Sequence, residues 1–170
     1  CTGYCIFDED KLVDIGSINL SKHKGLFTKA ALVKSEIVRL GSEYQIDNVA
    51  VEENLQAFRP GLSSAKTLMT LAQFNGVVRW ICHERLDVPV VSINVNAARK
   101  NVGLKINKKD KTRTTKEKVL DWVTEDLPDI IWPTKILKSG PNKGKERICN
   151  EAYDMADAYV VCKAGITLNK

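Results

Sequence analysis

The runs CTGYCIF and KLVDIGSINL at the start of the chain are rich in β-forming residues and flank the acidic DED, whose residues suit a turn. An antiparallel hairpin is the expected result. The period then changes, because residues 26–44 set Leu26, Ala30, Val33, Ile37 and Leu40 at alternating steps of four and three. That is a helix with one buried stripe. DNVAVEEN reads as a short strand. The stretch that opens with RPGLSS offers Ser63 or Ser64 as an N-cap and keeps helical periodicity to about Leu86. VPVVSINV is largely apolar, as expected of a parallel strand covered on both faces. The order β-β-α-β-α-β predicts an α/β fold. TTKEKVLDWVTEDL supplies a capping Thr and a further amphipathic helix, and a last helix begins near Asn150. Residues 103–114 and 133–149 are expected to be the longest loops. With no internal repeat or domain-scale linker, residues 1–170 are expected to form one domain.

Charge is unevenly distributed. The chain carries a net +5, but between Arg99 and Lys118 nine Lys or Arg face only Asp110 and Glu117, a net +7. Lys135 to Arg147 adds +4, which leaves −6 for all other residues together. One basic loop is ordinarily solvated surface; two on an otherwise acidic chain favour a polyanionic partner. No apolar run approaches the roughly 20 residues of a membrane span, and the N-terminus shows no basic stretch followed by an apolar one. The five cysteines include no CxxC pair, and His23 and His83 lack zinc-finger spacing. Reduced thiols in a cytosol-like compartment are expected. Cys1 and Cys5 share a strand face and are assigned to the core, as are Trp80, Trp122 and Trp132 to packing.

The final helix carries an unexpected pair. Asp154, Asp157, Val161 and Ala164 follow one stripe, so two carboxylates continue a face whose later turns are apolar. Acids in the first turns of an exposed helix also favour its macrodipole by about 0.3–1 kcal/mol. In VAVEE, alternation sends Glu52 to the face of Ala50 and Glu53 to that of Val49 and Val51, so one Glu edges whichever face is covered. A strand-borne Glu facing two helix-borne Asp residues is a cluster of like charges that needs a hard divalent cation, magnesium or manganese.

These segments resemble the ribonuclease H-like fold and, within it, the bacterial Holliday junction resolvase family RuvC, over most of the chain. CTGYCIF is similar to the family's second strand, VAVEE to its A-[IV]-E-x motif, DMADAYVVC to its D-A-A-D-A-L-A-[IV]-A helix, and NAARKNVGLK to its A-A-R-x-[VI]-K segment. The resemblance implies a central mixed β-sheet flanked by helices; the family's first strand, with its first catalytic Asp, has no counterpart in residues 1–170, so that Asp either precedes residue 1 or is lost. The basic insert around SGPNKGK is longer than expected from the bacterial form, which points to a phage or organellar relative.

The implied chemistry is symmetric nicking of four-way DNA junctions by a cytoplasmic homodimer, with helix 62–86 as the interface. Two magnesium or manganese ions per site would be held by Glu52, Asp154 and Asp157 together with that upstream Asp. Lys116 falls near the family's active-site basic residue. Phe58 is placed to stack on junction bases and Arg59 to contact phosphate. Arg99, Lys100, Lys105, Lys108, Lys109, Lys111, Arg113, Lys143 and Lys145 are the remaining candidate DNA contacts. Two other classes stay open: a ribonuclease H-like nuclease acting on RNA–DNA hybrid or flap DNA, and a non-catalytic junction-binding relative.

Overall fold

The computed structural model describes residues 1–53, 64–107 and 109–168. In chain order the elements are β1 (Thr2–Asp8), β2 (Lys11–Ile18), α1 (Leu26–Glu43), β3 (Val49–Glu52), α2 (Ala65–Leu86), β4 (Val90–Ile93), α3 (Val95–Asn101), α4 (Thr115–Asp126), β5 (Thr134–Ile136), β6 (Glu146–Ile148) and α5 (Asn150–Leu168). They fall into two compact units, Cys1–Asn19 with Ala98–Lys170, and Leu20–Ala97. No described helix is long and apolar enough to cross a membrane.

In the first unit the expected hairpin forms: β1 and β2 pair antiparallel from Thr2 opposite Ile18 to Asp8 opposite Lys11, with an irregularity between Ile6 and Phe7. Glu9 turns the chain in the left-handed region at φ 52°, a conformation costly for most residues but tolerated at single turn positions. Helix α5 packs on the face of β1 that carries Gly3, Cys5 and Phe7. The Cys5 thiol donates to the Ala158 carbonyl at 3.4 Å, and the Phe7 and Tyr159 rings lie 5.3 Å apart. Any Cβ at position 3 would overlap the backbone carbonyl of Asp154. Glycine there is what lets the carboxylate-bearing turn of α5 settle onto the strand. Helix α5 also meets α4, whose Val119, Leu120 and Val123 are buried, as are Ala152, Ala156, Val160 and Ala164 of α5. Burial of each valine contributes about 1.5–3 kcal/mol.

In the second unit α1 packs on α2 through the anticipated stripe, with Ala30, Val33, Ile37 and Leu40 buried. Ser64 is the N-cap of α2, its Oγ accepting the Thr67 amide at 3.1 Å. Strands β3 and β4 pair parallel, Val49 with Val90 through Glu52 with Ile93.

Several expectations are corrected. Instead of one central mixed sheet, the described strands form three two-stranded sheets, β1–β2, β3–β4 and β5–β6. The supposed loop 133–149 contains the antiparallel β5–β6 hairpin, whose short Lys- and Arg-bearing strands give no apolar alternation to read. Strand β4 is not covered on both faces, since Val91 and Ser92 are exposed and Ile93 is its one buried residue. Cys1 lies exposed before β1, and Trp80 is 60% exposed rather than packed. All five cysteines are free thiols.

Candidate active site

Four charged side chains of the first unit, borne on three helices, come together in two pairs. α5 supplies Asp154 and Asp157, α3 supplies Arg99 from its last turn, and α4 supplies Lys116 from its first. The position of Lys116 follows from local sequence: the Thr114 side chain accepts the Glu117 amide while the Glu117 carboxylate accepts from the Thr114 backbone, a reciprocal cap that fixes where α4 begins.

Arg99 Nη2 lies 3.2 Å from Asp157 Oδ1, with side chains 16% and 19% exposed. Lys116 Nζ lies 3.3 Å from Asp154 Oδ1, with side chains 57% and 26% exposed. The first pair is therefore the sheltered one. Burial pushes the Asp157 carboxyl above its ordinary value, outweighing the Arg99 guanidinium and the more distant Lys116, which pull it down; the Asp154 charge adds to the rise. Arg99 Nε is buried without a hydrogen-bond partner among the described residues. Asp157 is thus under-compensated by a cation that is itself incompletely satisfied, an arrangement suited to exchange of partners.

Glu52 belongs to the other unit. It ends β3, is exposed, and its carbonyl accepts from Asn75 Nδ2 at 2.7 Å. The neighbouring Glu53 carboxylate accepts from Asn94 Nδ2 at 3.3 Å.

The structure also sorts the basic segment. Lys118 pairs with Asp110 at 2.9 Å, and Arg113 pairs with Asp121. Lys100, Lys105, Lys109 and Lys111 form no ion pair among the described residues. Lys143 and Lys145 lie exposed between and beside β5 and β6. Phe58, Arg59 and Lys108 lie outside the described residues. Sequence reasoning misses the partner of Arg99. The residue opens a basic run and so reads as a DNA contact, and only the folded chain sets its guanidinium beside Asp157.

Asp154 and Asp157 offer hard oxygen donors one turn apart, which suits a divalent magnesium- or manganese-type ion. Among the described residues no group of three or more His, Cys, Asp or Glu is gathered for one ion. Each is instead paired with one cation, Asp157 with Arg99 and Asp154 with Lys116.

The α/β fold of the chain is similar to that of two solved structures of one protein. RuvC of Thermus thermophilus in complex with Holliday junction substrate matches with a TM-score of 0.58 at 15% identity, over 94% of this chain and 79% of that chain. A structure of Thermus thermophilus RuvC matches with a TM-score of 0.54 at 15% identity, over 94% of this chain and 80% of that one. At that identity the likeness is one of fold. No protein-family model and no curated protein sequence matches the chain.

Proposed function

We propose that the chain is a Holliday junction resolvase: a metal-dependent endodeoxyribonuclease that selects four-way DNA junctions by structure and nicks them symmetrically. One observation carries the reading. Two carboxylates one turn apart on α5 are gathered with Arg99 and Lys116, so the site holds both the acids a hard cation needs and the cations a phosphate needs. The fold likeness to RuvC bound to junction DNA supports the substrate. We read residues 1–170 as one nuclease domain, working as a cytoplasmic homodimer because a two-fold junction needs two matched nicks.

In this reading Asp154 and Asp157, with Glu52, hold magnesium or manganese. When bound, the ions activate water and stabilise charge developing on the phosphodiester. The residues of the chain do the rest. Lys116, the more exposed cation, moves from Asp154 to the scissile phosphate and offsets its added negative charge. Arg99 releases Asp157 and remains at the floor of the site, where its sheltered charge orients the same phosphate. Phe58 and Arg59 engage the junction bases and phosphates, and Lys100, Lys105, Lys108, Lys109 and Lys111 lead the duplex arms to the site.

The test is a nicking assay in magnesium on four-way junction, RNA–DNA hybrid and flap DNA. Asp154→Asn, Asp157→Asn and Glu52→Gln are each expected to abolish junction nicking while leaving junction binding intact, since each removes a ligand and no basic residue. Nicking at the wild-type rate in any one of them removes that residue from the site. Preference for hybrid or flap would reassign the substrate, and binding without cleavage by the wild-type protein would make it a non-catalytic junction binder.

A further inference from the structure

We propose that the β5–β6 hairpin is a basic ribbon that lies along the phosphate backbone of duplex DNA, presenting Lys135, Lys145 and Arg147 from a single face. The inference rests on the reading of DNA as the substrate but adds an element, a face and a mode of binding.

Register carries it. Lys135 and Arg147 stand directly opposite one another across the two strands. The ladder continues beyond them, with the Leu137 amide donating to the Lys145 carbonyl at 3.0 Å, so Lys145, two residues before Arg147, falls on the same face. Lys135, Lys145 and Arg147 are all exposed. None of them forms an ion pair among the described residues. Glu146 alternates to the opposite face, where the Thr134 hydroxyl donates to its carboxylate. The acid that feels Arg147 is Glu117 of α4, as a longer-range charge.

Like charges directly across an antiparallel pair destabilise it. A surface hairpin that concentrates three cations on one face, and turns its own acid away from them, is therefore built for an anion from outside. Its shape selects the class of polyanion, because a two-stranded ribbon fits a major groove about 12 Å wide and can follow the phosphates on either side. Gly140 and Gly144 adopt positive φ of 82° and 85° at the tip, where nothing packs against them, so the tip is free to run along a duplex. The base of the hairpin is closed by the Cys149 amide on the Pro133 carbonyl at 2.9 Å, and α5 starts at Asn150. A duplex gripped by the ribbon is thereby tied, with one intervening residue, to the helix that carries Asp154 and Asp157.

Because the ribbon reads backbone and not the crossover, its contribution is the same on any duplex. The test measures binding of the full chain to four-way junction and to linear duplex DNA across a salt series, for wild type and for Lys135→Gln/Lys145→Gln/Arg147→Gln. The triple variant is expected to weaken binding to both, lowering the log–log salt slope by about 0.9 for each phosphate no longer neutralised and by up to about 2.7 for three. The preference for junction over duplex is expected to stay unchanged. The charge-retaining variant Lys135→Arg/Lys145→Arg/Arg147→Lys is expected to bind as wild type, which separates an effect of charge from an effect on structure. An unchanged slope in the triple Gln variant, or weakening confined to junctions, overturns the proposal. Wild-type protein that shows the ribbon-dependent slope on duplex but neither prefers nor nicks junctions overturns the nuclease reading and leaves the ribbon standing.

Discussion

Asp157 is the residue on which site and fold are most closely balanced. Its folded value is raised, so the native state holds a proton more tightly than the unfolded chain does. The sign follows by linkage: the stability this group contributes is present below its ordinary value of 3.8 and is lost as pH rises through the higher folded value. At neutral pH the sheltered carboxylate therefore costs stability, with Arg99 offsetting only part of its burial. In metal-free protein, Asp157→Asn is expected to melt at or above the wild-type temperature at pH 7, with the advantage shrinking toward acid pH. Melting curves across pH check this, and a variant that melts several degrees lower at pH 7 would mean that the Arg99 pair outweighs the burial. That Asp154 and Asp157 share a stripe is legible in the three-residue spacing. That each faces a cation is not, because Arg99 and Lys116 lie 58 and 38 residues away in sequence, and their meeting depends on the tertiary fold.

At the scale of elements, legibility follows the strength of the periodic signal. Helix α1 is readable because its buried residues recur every three or four positions, and α4 because Thr114 and Glu117 announce its start. Hairpin β1–β2 is readable from its turn. β5–β6 is not, since its strands are three residues each and held largely by backbone pairing. Helix α2 is a different case: it has no single apolar stripe, and Ile81 and Cys82 are its buried residues. Met69, Ala72, Gly76 and Trp80 fall on one face at helical spacing, all exposed, with open space at Gly76. Two large apolar groups bracketing two small ones suit close approach of a second helix, in keeping with the proposed homodimer. Trp80→Glu is expected to shift the protein from dimer to monomer in sedimentation, raising the dissociation constant at least tenfold if the change costs about 1.4 kcal/mol. An unchanged association constant would take α2 out of the interface.

Over the whole molecule, charge rather than hydropathy marks out the surface proposed to bind DNA. The net +5 is the remainder of two basic segments on a chain that is otherwise −6. The sequence alone overstates the first segment, because the fold neutralises Arg99, Arg113, Lys116 and Lys118 with carboxylates of their own. Three of those carboxylates, Asp121, Asp154 and Asp157, lie outside the segment and cut its apparent +7 to +4, Asp110 being already counted in it, and the positive potential left for a partner rests on Lys100, Lys105, Lys109 and Lys111, with Lys108 beside them in sequence. Cations already paired inside the protein release few counterions when DNA binds, whereas unpaired ones release them in full. Neutralising Lys105, Lys108, Lys109 and Lys111 together is therefore expected to weaken junction binding and to lower the magnitude of the salt slope by about 0.9 for each phosphate left without its cation. Neutralising Arg113 and Lys118 is expected to change it far less. The effect should be alike for junctions of different sequence, since binding to the backbone carries position and not base identity. Titrations over a salt series decide it: a quadruple variant with the wild-type slope removes residues 105–111 from the DNA path and leaves the β5–β6 ribbon as the main electrostatic anchor.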